Sequence, residues 1–467
     1  MSIRTAEDRV LSTLNPDGTR RWMRPTLAAG HYWSRRRLVG WLLIVLFVTL
    51  PRMTVGGKQA VLFDLARREL TLFGATLYAT DTLLLLLFLI GVFLGVFLLT
   101  ALYGRVWCGW ACPQTVYLEF VFRPLERLIE GKVKQQQALD RQTVPWRRLL
   151  KWTVFAAVSV VLANVFLAYF VPVDTVLQWV TRPPTEHPHG FAVVAVVAAL
   201  MMLDFGWFRE QMCVVACPYA RLQSVLIDKQ SLIIAYDAGR GEPRGKLHKV
   251  SDLSIGAAAA KGDCVDCDAC VRTCPTGLDI RDGFQLECIA CAQCADACNA
   301  VMAKVHKPAG LIGYTSQAKL ERKGAGRLAV SKLRARTILY PVAICLVAGL
   351  LALAIARRGT AEVTLVRAIG APYAVQATGD VHNMARLRID NHSDADRQYH
   401  IALVDGGGIK LVLPRNPLPV AHGATATENL FLVTPAGAVR GKREVQVQVR
   451  DGATYDELHK FTLLGPN

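Results

Sequence analysis

Eight of the thirteen cysteines in this 467-residue chain fall between positions 264 and 298. They form two similar strings, Cys264-x-x-Cys267-x-x-Cys270-x-x-x-Cys274-Pro275 and Cys288-x-x-Cys291-x-x-Cys294-x-x-x-Cys298. A C-x₂-C-x₂-C stretch wraps three corners of an iron–sulfur cubane, and the fourth cysteine reaches across to the other cluster. The spacing therefore assigns Cys264, Cys267, Cys270 and Cys298 to one [4Fe–4S] cluster. It assigns Cys288, Cys291, Cys294 and Cys274 to a second. Four-cysteine zinc sites also use C-x₂-C pairs, but zinc does not require a doubled triplet with a distant fourth ligand. Pro275 prevents regular helix past Cys274. The second string has Asn299 in that place, so its exit turn is expected to differ.

Two further pairs repeat one pattern, Cys108-x-x-x-Cys112-Pro113 and Cys213-x-x-x-Cys217-Pro218. On a helix, positions i and i+4 share a face, so each pair would present two thiols together. The following proline weakens the helical reading of the second cysteine. If the two segments pack together, four thiols converge beneath the cluster module. Soft thiolates favour Cu(I), zinc or iron–sulfur centres; the plainer alternative is that these cysteines are small buried hydrophobes. We take Cys108, Cys112, Cys213 and Cys217 as a candidate copper/thiolate site, because the same pattern recurs at two equivalent helix ends. Cys345 lies mid-span without a partner and reads as packing. Asp204, in or near an apolar span, is the kind of acid that marks proton or ion handling. His187 and His189 share a loop that could catch a metal, though loop histidines are usually solvated.

The elements that must hold these residues are apolar. Hydrophobic residues make up 52% of the chain, and the mean hydropathy is +0.29. They are gathered into long runs, as in a protein with membrane and soluble parts. The runs predict about five spans: Leu38–Leu50 extending toward Val55, Thr82–Tyr103, Trp152–Val171, Phe191–Trp207 and Ile338–Ala356. The Leu38 run resembles the core of a signal peptide in length, but no small-residue cleavage pattern follows it. No histidine falls in any of these spans, which leaves a bis-histidine membrane haem without ligands. No phosphate-binding G-x-x-x-x-G-K-[ST] loop is present either, so a nucleotide-driven pump is not indicated.

The net charge of +17 has a ready explanation in membrane topology. Residues 1–37 carry eight arginines and loop 104–150 carries eight Lys or Arg, whereas loop 173–190 carries only Arg182. Segment 209–336 is also basic, with Arg322, Lys323, Arg327, Lys332, Arg334 and Arg336 just before the last span. The positive-inside bias then places the N-terminus, loop 104–150 and segment 209–336 in the cytoplasm, and the C-terminus outside. Loop 52–81, with four basic residues, and the Arg357-Arg358 pair fit this less well. No nucleic-acid motif or single basic stripe supports a nucleic-acid partner.

Residues 360–467 alternate apolar and polar residues in short stretches, such as Met384–Asp390, Gln398–Val404 and Val445–Val449. Turn-rich pieces separate them, and about seven short strands suggest an immunoglobulin-like β-sandwich. The expected organisation is a cytoplasmic segment over 1–37, a four-helix membrane region over 38–208, and a cytoplasmic segment over 209–336. The last of these contains the ferredoxin-like module at about 255–305. A fifth transmembrane helix over 337–358 and a periplasmic β-domain over 360–467 complete it. The fold class is thus a polytopic α-helical membrane protein with a dicluster ferredoxin-like insert and an all-β C-terminal domain.

Taken together these motifs resemble the FixG/RdxA/CcoG family of cytochrome c oxidase accessory proteins. The resemblance rests on Gly104-Arg-Val-Trp-Cys-Gly-Trp-Ala-Cys-Pro-Gln114, on Arg209-Glu-Gln-Met-Cys-Val-Val-Ala-Cys-Pro-Tyr-Ala-Arg-Leu-Gln-Ser224 and on Gly241-Glu-Pro-Arg-Gly245. The dicluster segment and the C-terminal domain extend it over most of the chain. The C-x-x-x-C-P pairs also look like those of quinol-dehydrogenase membrane subunits. Family membership implies a bacterial inner-membrane protein that supports assembly of the cbb₃-type oxidase by reducing Cu(II) to Cu(I). Its partners would be membrane lipid, the oxidase or its copper-assembly factors, and an electron donor. Two competing readings are a quinol-linked subunit feeding a partner complex and a non-enzymatic assembly scaffold.

Overall fold

The apolar runs form helices, the arrangement that satisfies backbone polar groups within one segment when no water is at hand. The computed structural model describes residues 12–15, 17–65, 69–78, 82–142, 146–246, 262–321, 335–357, 359–368, 371–393, 395–404, 407–439, 441–452 and 454–466. Residues 1–11, the basic run from Arg322 to Arg334, and Arg358 lie outside them.

Five long helices are α1 (His31–Thr49), α2 (Thr82–Tyr103), α3 (Trp146–Leu167), α4 (Pro188–Met201) and α5 (Ala335–Ala356). A π-helical stretch, Met202–Phe208, continues α4. Among the described residues, four stretches are long and apolar enough to cross a membrane: Leu83–Tyr103, Trp146–Leu167, Pro188–Phe208 and Ile338–Ala356. The third expected span is therefore displaced toward the N-terminus and ends at Leu167 instead of Val171. Helix α1 does not meet the same standard, because its first half holds Arg35, Arg36 and Arg37. Nor does it extend toward Val55. Leu50–Arg52 is a 3-10 turn, and Thr54–Val55 pairs antiparallel with Lys58–Gln59 across a Gly56-Gly57 turn. Both glycines take positive φ, which such a two-residue hairpin turn requires.

Contacts divide the chain into two units: residues 1–64, 71–75 and 89–347 in the first, and 65–70, 76–88 and 348–467 in the second. In the second unit, the C-terminal residues form nine described strands rather than about seven. One sheet runs in the order Lys410–Val412, Thr425–Thr434, Val381–Asn391, Ala361–Arg367, with Ala374–Val375 also on Val381–Asn391. The other runs Leu418–Val420, Arg397–Leu403, Lys442–Arg450, Asp456–Leu464. Pairing is antiparallel throughout. Alternate residues such as Leu387, Ile389, Leu430, Leu432, Val447 and Val449 are fully buried between the sheets, as period-2 patterning dictates.

In the first unit a buried ion-pair network ties together the chain that follows Cys112 and the chain that precedes Cys213. Both terminal nitrogens of Arg209 donate to Glu126, at 3.1 and 2.8 Å. Lys151 pairs with Glu126 at 3.3 Å and with Glu130 at 2.8 Å. Arg123 pairs with Glu119 and, at 3.3 Å, with Glu210. Pairing of this kind offsets the cost of burying these charges.

The dicluster segment is closed by an antiparallel strand pair, Ile233–Tyr236 with Ile312–Thr315. The N-terminus of α1 rests on it. Asp296 accepts from the backbone N–H groups of Tyr32 at 3.1 Å and Trp33 at 2.7 Å, capping α1 from a distant part of the sequence. Cys345, expected to pack inside, is instead exposed on α5. None of the window that defines that span is buried.

Candidate metal centres

Each cysteine triplet is laid out by the same backbone device. Asp266 and Asp268 flank Cys267 with φ of 48° and 56°, and Ala290 and Ala292 flank Cys291 with φ of 53° and 58°. Left-handed conformations at non-glycine residues are costly, on the order of 1 kcal/mol each. Their recurrence at matched positions turns both loops back on themselves so that three thiols face inward. A helix then follows each loop: Ala269–Thr273 and Gln293–Lys304. The first ends at Cys274, whose backbone is extended before Pro275. The second runs on through Cys298 and Asn299, as the missing proline allows.

The thiols gather into two groups. One cavity is lined by Cys264, Cys267, Cys270 and Cys298 with Tyr236 and Met302. Another is lined by Cys274, Cys288, Cys291 and Cys294, with Cys270 on the wall it shares with the first. Ile234, Leu278, Ile280 and Ala292 are among the second cavity's other wall residues, and no histidine among the described residues lines either cavity. Four thiols within an apolar shell suit an iron–sulfur group, whose potential depends on burial. Burial pushes the Cys270 and Cys288 thiols up to about 12 and Cys298 to about 11. Binding a cation would therefore have to displace protons from these thiols at neutral pH. Arg281 steadies the first loop, donating to Asp266 at 2.8 Å, Asp268 at 2.7 Å and Asp279 at 2.6 Å.

The two C-x-x-x-C-P segments match in detail. Cys108 lies in the helical turn Val106–Trp110 and Cys213 in the π-helical turn Met212–Ala216. The chain then leaves the helix, contrary to the shared-face expectation. Cys112 and Cys217 are extended, and each starts a new helix with proline at its first position. In each segment the N–H of the second cysteine donates to the carbonyl five residues back, Cys112 to Trp107 at 2.9 Å and Cys217 to Met212 at 2.8 Å.

The four thiols lie within electrostatic reach of one another, and burial raises those of Cys108, Cys112 and Cys213. Cys108, Cys213 and Tyr219 pack in one cluster with Ile289 and Cys291, so the paired thiols abut the second cluster cavity. Cys108 and Arg105 share one acceptor, the fully buried Gln223 carbonyl oxygen, at 3.2 and 3.3 Å. Among the described residues no three or more His, Cys, Asp or Glu side chains already close to the spacing of a single ion. His187 stacks on Trp179, with ring centroids 5.3 Å apart. Asp204 sits in the π-helical stretch and accepts from the Gln114 amide at 3.0 Å.

Sequence patterning missed Arg36, Arg105, Gln114 and Gln223. The only available signal was their place in or beside the C-x-x-x-C-P segments, and Arg36 lacked even that.

Comparison with known proteins bears on the same segments. The family described as "4Fe-4S dicluster domain" matches residues 208–317, and that described as "4Fe-4S binding domain" matches 85–134. Apolar helices and iron–sulfur domains in one chain define a membrane iron–sulfur electron-transfer protein. The family described as "IG-like fold at C-terminal of FixG" matches residues 351–466. Protein RdxA of Cereibacter sphaeroides is 37% identical over 391 residues, covering 81% of both chains. Protein RdxB of the same organism is 33% identical over 419 residues, covering 87% of both. Nitrogen fixation protein FixG of Rhizobium meliloti is 37% identical over 264 residues, 55% of this chain and 49% of that one. A solved structure of a FixG-related protein from Vibrio parahaemolyticus aligns with 23% of the chain at 12% identity and a TM-score of 0.21. The chain belongs to the FixG/RdxA family.

Proposed function

We propose that this protein reduces Cu(II) to Cu(I) at the membrane face in support of cbb₃-type oxidase assembly. Cys264, Cys267, Cys270 and Cys298 would hold one [4Fe–4S] group, and Cys288, Cys291, Cys294 and Cys274 the other. When bound, these groups supply one-electron storage. Copper is the substrate: Cys108, Cys112, Cys213 and Cys217 receive Cu(II), release their protons and stabilise the Cu(I) formed by one electron, since soft thiolates prefer the reduced ion. The observation that carries this reading is the packing of Cys108 and Cys213 in one cluster with Ile289 and Cys291.

Helix α1 completes the membrane region as a fifth crossing in this proposal, supported by the exposed apolar residues Leu38, Trp41, Leu42, Val45 and Leu46 along it. Five crossings with basic cytoplasmic loops put the N-terminus and the cluster module inside and the β-domain in the periplasm of a bacterial inner membrane. There the β-domain would meet the oxidase or its copper-assembly factors.

A second reading is favoured by the iron–sulfur family match over 85–134, which contains Cys108 and Cys112. In it the four thiols hold a third iron–sulfur group. Anaerobic purification with metal analysis separates the two readings. About eight irons per chain, with Cu(II) reduction that is lost in Cys108→Ser/Cys213→Ser at unchanged iron, supports the copper site. About twelve irons, falling to about eight in the same variant, supports the third group. Copper binding and reduction unchanged in that variant would eliminate the copper assignment.

A further inference from the structure

The first unit contains a cavity of about 1030 Å³ between α1, α3, α4 and the two C-x-x-x-C-P segments. Its walls are hydrocarbon and aromatic, with Ile44, Phe47, Leu162 and Phe205 among them. At its rim, Leu46, Leu200, Leu203 and Trp207 are half exposed or more, on helices that lipid would surround. An occupant would therefore come from the hydrocarbon, and the volume is that of a site for a whole small molecule.

Four polar side chains, Gln114, Tyr117, Tyr169 and Asp204, interrupt the apolar wall. Asp204 is held by the Gln114 amide, whose nitrogen also donates to the Arg209 carbonyl at 3.0 Å. Tyr117 is 9% exposed, and its buried hydroxyl has no hydrogen-bond partner among the described residues. By contrast the other lining phenol, Tyr169, donates to the Phe47 carbonyl at 2.8 Å. A carboxylate and an unpartnered phenol have no use for an acyl chain, and the carboxylate repels a lipid phosphate. They fit a neutral, lipid-soluble ring with an oxygen on either side.

The cavity also shares its wall with the thiols: Trp107, Ala111 and Pro113 bracket Cys108 and Cys112, and Met212 precedes Cys213. Asp204 reaches this position through the π-helical stretch Met202–Phe208, a distortion that recurs at functional sites.

We propose that the cavity binds a lipid-soluble hydroquinone and admits electrons to the protein. The proposal rests on the function above only for the destination of those electrons. Both O–H bonds of the hydroquinone break as the ring loses two electrons and becomes the quinone. The two [4Fe–4S] groups that Cys264, Cys267, Cys270 and Cys298 and Cys274, Cys288, Cys291 and Cys294 would hold would each accept one of these electrons. The two protons leave one after the other through the Asp204 carboxylate, and the Tyr117 hydroxyl donates to a carbonyl oxygen of the quinone formed.

The test uses the full chain in lipid nanodiscs. An azidoquinone, activated by light and mapped by mass spectrometry, should label segments 107–117 and 197–212. Excess unlabelled quinone, or Leu203→Trp, should reduce the labelling at least fivefold. Under anaerobic conditions a short-chain hydroquinone should bleach the iron–sulfur absorbance. Asp204→Asn should bleach at least tenfold more slowly and Tyr117→Phe at least threefold, while dithionite bleaches all three proteins alike. Labelling that excess quinone does not protect, or an Asp204→Asn rate equal to wild type, overturns the proposal. So does a labelled cavity without hydroquinone bleaching in protein that holds its iron. A labelled and protected cavity in protein without iron supports the site and overturns instead the function proposed above.

Discussion

Gly109 and Cys291 meet backbone to backbone: a β-carbon on Gly109 would stand 2.8 Å from the Cys291 α-carbon and 2.5 Å from the Ile289 carbonyl oxygen. Real β-carbons do not approach backbone so closely, and neither of those atoms can swing aside. The absence of a side chain at Gly109 is what lets the thiol segment lie against the second cluster loop. Gly109→Ala is therefore expected to fold and keep its iron but hold the two sites apart. Displacements of about 1 Å can cost on the order of a hundredfold in rate. Copper reduction by dithionite-loaded protein should fall at least tenfold at constant iron content; an unchanged rate would show that the contact is incidental.

Two arginines lean on the same loop. The charge of Arg36 acts on Cys291 and that of Arg105 on Cys288. Arg36 is fully buried; its Nε donates to the Gly109 carbonyl at 2.8 Å, and its terminal nitrogens have no hydrogen-bond partner among the described residues. A buried positive charge favours the reduced, more negative state of a neighbouring group. Arg36→Gln and Arg105→Gln should each lower the midpoint potential of one iron–sulfur signal by ~50 mV, a Coulomb energy of about 1 kcal/mol at an effective dielectric near 20. Redox titration by electron paramagnetic resonance reads this directly. A shift of both signals together, or an upward shift, would contradict the placement.

The cysteine strings stand out in the sequence because C-x₂-C-x₂-C is a short, local pattern, although Arg281, outside the string, steadies the loop that joins Cys264 to Cys270. The long-range partners do not. Arg36 reads as one member of a basic run at a membrane boundary, yet it points inward to Gly109, 73 positions away. Asp296 reads as a solvated charge between Cys294 and Cys298, yet it caps a helix more than 260 positions earlier. Neither has periodicity or motif to mark it. The end of α1 was misjudged for a different reason. Hydropathy alone carried the helix on past Leu50, whereas Pro51 and the Gly56-Gly57 pair are the stop signals that decide it.

The Asp296 cap gives the next prediction. Its carboxylate satisfies two backbone donors at the start of α1 and adds a negative charge at the positive end of the helix dipole. Gly30 leaves the room, since a β-carbon there would fall 2.4 Å from the Asp296 carboxyl carbon. Asp296→Ala should cost about 1 kcal/mol, the usual loss of an N-cap, with the damage concentrated locally. Hydrogen exchange at the amides of Tyr32 and Trp33 should speed up roughly fivefold or more. Protection unchanged at those two amides would show that the cap contributes nothing.

Glu126 carries the last prediction, on stability and pH. Arg209 grips its carboxylate at two points and Lys151 at a third. Burial alone would raise the Glu126 carboxyl, but the attraction and hydrogen bonds of Arg209, then Lys151 and Arg123, outweigh it and bring the group down to about 2. Since the folded value lies below the ordinary 4.5, the charged carboxylate stabilises the fold above pH 4.5. That stability is lost as pH falls from 4.5 toward 2, and the depression corresponds to roughly 3 kcal/mol. Glu126→Gln keeps the shape but leaves Arg209 and Lys151 short of a counter-charge in a buried site. Removing one partner of such a pair costs about 3–5 kcal/mol. The variant should melt well below wild type at pH 7, with the gap narrowing steadily below pH 4.5. Thermal unfolding in detergent between pH 7 and pH 3 measures both. A gap that stays constant with pH would mean that the carboxylate charge is not what Arg209 holds, and that its loss is felt through packing alone.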